Sequence, residues 1–113
     1  MRTLADLSEV ERRLVGDLRR RLMAELPGIG VHLTVFGSRA RGDAEPDSDM
    51  DVVVELDVSH LSFADKQRLR RVATELSIAS GIIVSLLVVD RDIMNERGDF
   101  SVFETVREEG IRV

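Results

Sequence analysis

Two stretches of the chain carry apolar residues at three- and four-residue steps, which is the pattern of an amphipathic helix. In the first stretch, Ser8 and Glu11 have the spacing of a capping box, and the pair Pro27-Gly28 is typical of a helix end. The second stretch covers residues 62–79 and ends before Gly81. Its inner face is predicted to carry Phe63, Leu69, Val72, Ala73 and Leu76. We therefore expect two long helices that each bury one face.

Three shorter stretches are rich in β-branched and apolar residues and predict strands. They cover residues 31–36, 51–56 and 82–89. The last stretch is apolar at every position except Ser85, and a continuous apolar run favours a central strand that is buried on both faces.

The remaining segments are connections and one further helix. Residues 38–46 predict a loop or one short helical turn, and residues 90–98 predict a polar connection that contains at most a short helical turn. Phe100, Phe103 and Val106 have helical spacing near the end of the chain. The order helix, strand, strand, helix, strand, helix indicates an α/β fold of the α+β type, with helices packed on a small mixed sheet. We expect residues 1–113 to form one domain.

Composition narrows the chemistry that this fold can perform. The 113 residues contain no cysteine, so disulfides, thiolate metal sites and a cysteine nucleophile are excluded. The two histidines are too few for a histidine-based zinc site without carboxylate help. No apolar run approaches the roughly 20 residues that span a membrane, which predicts a soluble, cytoplasmic protein without a membrane partner. The net charge of −5 argues against an extended nucleic-acid-binding surface.

Gly37 and Ser38 follow the first predicted strand and form a candidate phosphate-binding turn. Gly37 lets the chain turn sharply and lets a phosphate approach the backbone, and Ser38 offers a hydroxyl and an N–H group. Arg39 and Arg41 are candidates for charge-assisted contacts with phosphate oxygens. A Walker A loop is excluded because its Gly-Lys-Ser/Thr ending is absent.

Asp49 and Asp51 lead into the second predicted strand and are the candidate metal ligands. Alternate residues of a strand point to the same side, roughly 7 Å apart along the chain. Two carboxylates on one face suit Mg²⁺, which takes one or two carboxylates together with water and substrate phosphates. An isolated pair of this kind is more often solvated, but its combination with the Gly-Ser turn predicts a site for a nucleoside triphosphate and its metal.

Three features together resemble the signature of the minimal nucleotidyltransferases of the DNA polymerase beta superfamily. They are the run Phe36-Gly-Ser-Arg-Ala-Arg-Gly42, the ten residues between Ser38 and Asp49, and the run Ser48-Asp-Met-Asp-Val52. Residues 103–113, with their Glu-Gly-Ile sequence, resemble the tail of many small members. The resemblance therefore covers most of the chain.

This resemblance implies a nucleotidyl-transfer site. Gly37 and Ser38 would contact the triphosphate of ATP or of another nucleoside triphosphate. Asp49 and Asp51 would bind two Mg²⁺ ions, with Mn²⁺ as the alternative metal. An acceptor hydroxyl would attack the α-phosphate and pyrophosphate would leave, while the cations position the reactants and neutralise developing charge.

The chain departs from the family pattern on the third predicted strand. The full family site has a third carboxylate there, whereas the lone polar residue in this strand is Ser85, which cannot act as a general base near neutral pH. The structural interpretation of Ser85 is a small core residue bonded to a carbonyl. Glu55, Asp90 and Asp92 are the other sources of an acidic oxygen. Several minimal members share the loss, so the resemblance stands while catalysis is left open.

Two functions follow from these observations. In the first, the chain is a transferase whose acceptor is a partner protein or lies in a groove formed by a homo-oligomer. The resemblance implies a helical HEPN-domain protein as that partner, with this chain as the antitoxin of a toxin–antitoxin pair. The alternative is a catalytically weak or inactive nucleotide-binding module that acts by binding its partner. The Asp49 and Asp51 pair favours the enzyme, and Ser85 favours the module.

Overall fold

Five α-helices pack on the two faces of a four-stranded sheet in the computed structural model, which describes residues 2–113. The helices are α1 (Glu9–Glu25), α2 (Ser38–Arg41), α3 (Phe63–Ser80), α4 (Arg91–Arg97) and α5 (Ser101–Glu109), and a 3₁₀ turn covers Leu4–Asp6. The strands are β1 (Val31–Phe36), β2 (Met50–Leu56), β3 (Val84–Val89) and β4 (Ile111–Arg112). The predicted α+β fold with a mixed sheet is confirmed, and β4 is a strand that the sequence pattern did not predict. No helix among the described residues is long and apolar enough to cross a membrane.

The sheet has the strand order β3-β2-β1-β4. β1 runs antiparallel to β2 and to β4, whereas β2 and β3 are parallel and are connected through α3. The register places Phe36 of β1 opposite Asp51 of β2, and Asp51 opposite Ser85 of β3. One row across three strands therefore joins the end of β1, just before the Gly-Ser turn, to a candidate metal ligand and to Ser85.

β3 lies at an edge of the sheet, so the prediction of a central strand is wrong. The strand is apolar because helices cover both of its faces although its outer edge is unpaired among the described residues. Val84 and Val88 belong to the core on one side of the sheet, and Leu87 and Val89 pack in the core on the other side.

The larger core lies between the sheet and helices α1 and α3. Side chains of α1 such as Leu18 and Leu22, and Leu69 of α3, are buried against it. The predicted capping box at the start of α1 is confirmed, because the Glu11 N–H donates to Ser8 Oγ at 3.1 Å and the Ser8 N–H donates to Glu11 Oε1 at 2.8 Å. The predicted inward position of Phe63 is wrong.

Phe63 is the first residue of α3 and is 72% exposed. Its position at the very start of the helix accounts for the difference, since the buried residues of α3 begin at Leu69.

The smaller core lies on the opposite face, under α4 and α5. Phe103 and Val106 of α5 are buried there with Val53 and Val89 of the sheet. The segment predicted as a polar connection contains the two-turn helix α4. Its N-cap is Asp90, which accepts hydrogen bonds from the N–H groups of Ile93 and Leu61, both at 2.9 Å.

Replacing Phe103 with alanine is expected to lower the free energy of unfolding by about 3–4 kcal/mol, because the change empties a buried aromatic site. Urea unfolding measures this loss. Phe100→Ala is the matched control: Phe100 is 55% exposed, so its truncation should cost less than about 1 kcal/mol. Equal losses for the two variants would show that α5 is not anchored through Phe103.

Candidate functional site

The Gly37 turn and the Asp51 carboxylate share one small space at the end of β1. Gly37 has φ 77° and ψ −160°, in the region that favours glycine. A methyl group at this position would overlap Asp51 Oδ2. The strand register brings these residues together, and a larger residue here would have to displace the Asp51 carboxylate as well as adopt a positive φ.

Asp51 is half-buried and lies within electrostatic reach of Asp49, which is exposed. Burial raises the pKa of Asp51 and the charge of Asp49 raises it further, whereas Arg41 lowers it in part. The two carboxylates therefore repel each other, and a cation placed between them would relieve that repulsion.

The donor set fits a hard divalent cation. Asp49 and Asp51 supply carboxylate oxygens, the ligands that Mg²⁺ prefers. Residues 2–113 contain no cluster of three or more His, Cys, Asp or Glu side chains that would enclose a metal on their own. The remaining ligands would have to come from water and from substrate phosphates, which is the usual arrangement for Mg²⁺ at phosphate-transfer sites.

Ser38 begins α2, a single turn whose N-cap is Gly37 and which ends at Gly42 in the left-handed conformation. The segment predicted as a loop or one short helical turn is thus a helical turn followed by a loop. Ser38 is half-buried, and its hydroxyl lies one residue beyond the glycine that borders Asp51. The N–H groups of a first helical turn lack partners within their own helix, so this turn can donate to an anion.

Arg39 is buried, and its guanidinium binds protein oxygens. It donates to the Ser48 carbonyl from Nε at 3.0 Å and from Nη2 at 2.8 Å, and to the Pro46 carbonyl at 3.3 Å. Its Nη1 lies 3.0 Å from Glu11 Oε2, and these two side chains are only 9% and 12% exposed. The prediction that Arg39 contacts phosphate does not match this geometry. Arg39 instead ties the loop before Asp49 to helix α1.

Arg41 is the exposed arginine of the turn and lies within electrostatic reach of Asp51. Its Nη1 is 3.1 Å from Glu109 Oε1, and its Nε is 3.3 Å from Asp43 Oδ2. Glu109 Oε1 also accepts the N–H of Gly37 at 3.1 Å. Glu109 is a site residue that the sequence analysis missed, because nothing in the spacing of the chain signals a contact between residues 72 positions apart.

Ser85 is exposed, so its interpretation as a small core residue is wrong. It lies opposite Asp51 in the parallel register of β2 and β3, on the same side of the sheet by strand alternation. A serine hydroxyl therefore occupies the neighbouring strand position at the edge of the site.

The alternative acids do not lie beside Asp51. Glu55 is four residues further along β2, opposite Val89. Asp90 is buried, and its oxygens hold the backbone N–H groups at the start of α4. Asp92 is exposed and lies 3.6 Å from His60. Of the candidate metal ligands, Asp51 therefore lies against the glycine turn, and Asp49 lies within electrostatic reach of Asp51.

Comparison with known proteins gives two findings. Residues 15–109 match the sequence model of the family described as nucleotidyltransferase domain. The chain is also similar to a protein of Methanocaldococcus jannaschii that carries the name "Putative protein adenylyltransferase MJ0604", with 26% identity over 100 residues. That alignment covers 88% of this chain and 94% of the relative.

Removing the Glu11 carboxylate is expected to lower the free energy of unfolding by about 3 kcal/mol at pH 7, because it leaves Arg39 buried without its ion-pair partner. Denaturant unfolding of Glu11→Ala tests this expectation. The control is Glu9→Ala, which breaks an exposed pair with Arg13 and should cost less than about 1 kcal/mol.

The same pair predicts a pH dependence. Burial alone would raise the pKa of Glu11, but hydrogen bonds from Ser8 and Arg39 outweigh it and hold the pKa below its ordinary value of 4.5. The contribution of Glu11 to stability is therefore complete above that value and is lost as the pH falls below it. The difference in the free energy of unfolding between wild type and Glu11→Ala should therefore become smaller in acid. A gap that widens in acid would contradict the ion pair.

Asp51→Asn is expected to raise the melting temperature of the metal-free protein at neutral pH. Because the pKa of Asp51 is raised in the fold, its charged form destabilises the folded state above the ordinary pKa of a carboxyl group. The advantage of the variant should shrink as the pH falls and Asp51 takes up a proton. Asp47→Asn, in the exposed loop, serves as the control and should leave the melting temperature unchanged. A lower melting temperature for Asp51→Asn at neutral pH would contradict a raised pKa for Asp51.

Proposed function

We propose that this chain, which belongs to the nucleotidyltransferase domain family, transfers a nucleoside monophosphate from ATP or another nucleoside triphosphate to a partner protein. The proposed reaction depends on Mg²⁺. The observation that carries this proposal is the register of β1 and β2, which sets Asp51 against the Gly37 turn. A phosphate-binding turn and a metal-binding carboxylate have to be this close if one triphosphate is to contact both.

The residues of the proposed site fall into a phosphate-binding group and a metal-binding group. Gly37 and Ser38 bind the phosphates through the turn, and Arg41 supplies the positive charge that Arg39 does not, since the guanidinium of Arg39 is bound within the fold. Asp49 and Asp51 hold the divalent cation, which when bound neutralises the charge that develops on the phosphates. Most of the catalysis in such a site comes from positioning and electrostatic stabilisation.

The reaction forms one bond and breaks one. The oxygen of the acceptor hydroxyl bonds to the α-phosphorus, and the bond from that phosphorus to the bridging oxygen of the β-phosphate breaks, so that pyrophosphate leaves. The hydroxyl proton passes to solvent water, because Ser85 cannot accept it near neutral pH. Proton removal is therefore the step for which this chain is least equipped.

A protein acceptor is supported by the name of the M. jannaschii relative, which describes a protein adenylyltransferase. AMP is accordingly the first choice for the transferred group. On the resemblance of its motifs, we propose a helical HEPN-domain protein as the partner and an antitoxin role for this chain. A groove formed by two copies of the chain is the other source of an acceptor-binding surface.

One observation favours a second candidate function. Ser85 lies opposite Asp51 on β3, the strand on which the resemblance predicts a third carboxylate, and Glu55, Asp90 and Asp92 lie elsewhere. With two carboxylates the site can hold a metal and a nucleotide, yet it lacks a base for the acceptor. In this alternative the chain is a nucleotide-binding module that neutralises its partner by forming a complex.

Incubation with α-³²P-labelled ATP, Mg²⁺ and the protein encoded by the neighbouring gene separates the two functions. Transfer of label to the partner is expected for the wild type and should fall to background for Asp49→Asn and Asp51→Asn, because each change removes a metal ligand. Asp47→Asn should retain the wild-type rate. Complex formation that survives in both variants, with no labelled partner even for the wild type, would establish the binding module and contradict transfer.

A further inference from the structure

The carboxylate of Glu109, the last residue of α5, lies on the two groups of the site that are best suited to bind phosphate. Its Oε1 accepts the Gly37 N–H at 3.1 Å and lies 3.1 Å from Arg41 Nη1, and its Oε2 lies 3.4 Å from the same nitrogen. Glu109 is thus the acidic side chain that connects the glycine turn to the exposed arginine. A carboxylate and a phosphate compete for such donors, because both are oxygen anions that accept charge-assisted hydrogen bonds.

Both of these donors, the Gly37 N–H and Arg41 Nη1, bind the same carboxylate oxygen, Glu109 Oε1. The Gly37 N–H has a single hydrogen, and that hydrogen points to Glu109. Arg41 uses Nη1 for Glu109 and Nε for Asp43. A phosphate that takes the Gly37 N–H and the Arg41 Nη1 group therefore has to replace Glu109.

We propose that Glu109 holds the place of a phosphate in the nucleotide-free protein and sets the affinity for polyphosphates, because a polyphosphate displaces it on binding. The inference rests on the proposed function, which assigns phosphates to the glycine turn and to Arg41. It adds a residue that determines the affinity of the turn for phosphates and the kinds of ligand that bind there.

The position of Glu109 allows this displacement. Its side chain is 22% exposed. The residues that pack α5 on the sheet, Phe103 and Val106, lie earlier in the helix, so the carboxylate can move away while α5 stays in place. The residue after it is Gly110, at which the helix ends. Movement of one terminal side chain is therefore sufficient.

Charge decides which ligands displace Glu109. A ligand has to supply at least as much negative charge to Gly37 and Arg41 as the carboxylate does, and inorganic triphosphate, pyrophosphate and ATP meet that condition. Adenosine, which has no phosphate, does not reach these donors. Glu109 therefore lowers the affinity for every ligand whose phosphates bind at the turn, and it does not change the contribution of the nucleoside part to binding.

Glu109→Gln is the variant that tests this role. It keeps a side-chain oxygen that can accept the Gly37 N–H, but it removes the charge that holds Arg41. Calorimetry with inorganic triphosphate and with ATP, in the presence of Mg²⁺, should show binding about fivefold tighter than for the wild type. Adenosine binding should not change. Glu109→Asp keeps the charge but shortens the reach, and it should also tighten triphosphate binding.

Glu108→Gln is the matched control. Glu108 is the exposed neighbour of Glu109 and carries the same charge, so a general reduction of negative charge would act equally in both variants. We expect wild-type affinity for Glu108→Gln. Thermal melting of all variants confirms that they are folded before their affinities are compared.

The outcome separates this inference from the proposed function. Tighter binding of inorganic triphosphate by Glu109→Gln supports the inference, even if the wild type transfers no label and the proposed function fails. Equal or weaker triphosphate binding by folded Glu109→Gln overturns it and would make Glu109 a residue that positions the turn. The inference is also overturned if Glu108→Gln binds inorganic triphosphate as tightly as Glu109→Gln does, or if Glu109→Gln binds adenosine more tightly by the same factor.

Discussion

The antiparallel pairing of β1 with β2 fixes the separation between the glycine turn and the Asp51 carboxylate. Phe36 lies opposite Asp51, so the residue that follows β1 is the glycine that borders this side chain. A slip of one residue would turn Asp51 toward the larger core and bring a valine to the site. Burial of Val52 and Val54 opposes that slip, because both pack in the larger core on the other face of the sheet. The packing of the core therefore specifies the geometry of the site.

A second constraint acts on the chain between the turn and Asp49. Arg39 binds the carbonyls of Ser48 and Pro46 while its other end contacts Glu11 of α1. The acidic loop before Asp49 is thereby attached to helix α1. The arginine nearest to the glycine turn thus stabilises the loop that leads to Asp49, the proposed metal ligand, and Arg41 is the arginine that we propose for phosphate binding.

Local patterns were sufficient for part of this picture. The capping box of α1, the strands β1 and β2 and the short turn after Gly37 follow from residues close together in sequence, and the family that the Gly-Ser and Asp-x-Asp segments resemble is confirmed. The edge position of β3 was not predictable, because an apolar run does not reveal whether a strand has a neighbour on each side. The partners of Arg39 and Gly37 were hidden for a related reason: Glu11 and Glu109 lie 28 and 72 residues away from them.

We propose that the Gly37 turn and the Asp49 and Asp51 carboxylates form one site for a nucleoside triphosphate and its metal. The decisive measurement is a calorimetric titration of the wild type with ATP, once in the presence of Mg²⁺ and once in the presence of EDTA. We expect ATP binding to require Mg²⁺ and to be lost in Asp51→Asn. No binding under either condition, or binding of equal strength with EDTA, would contradict it.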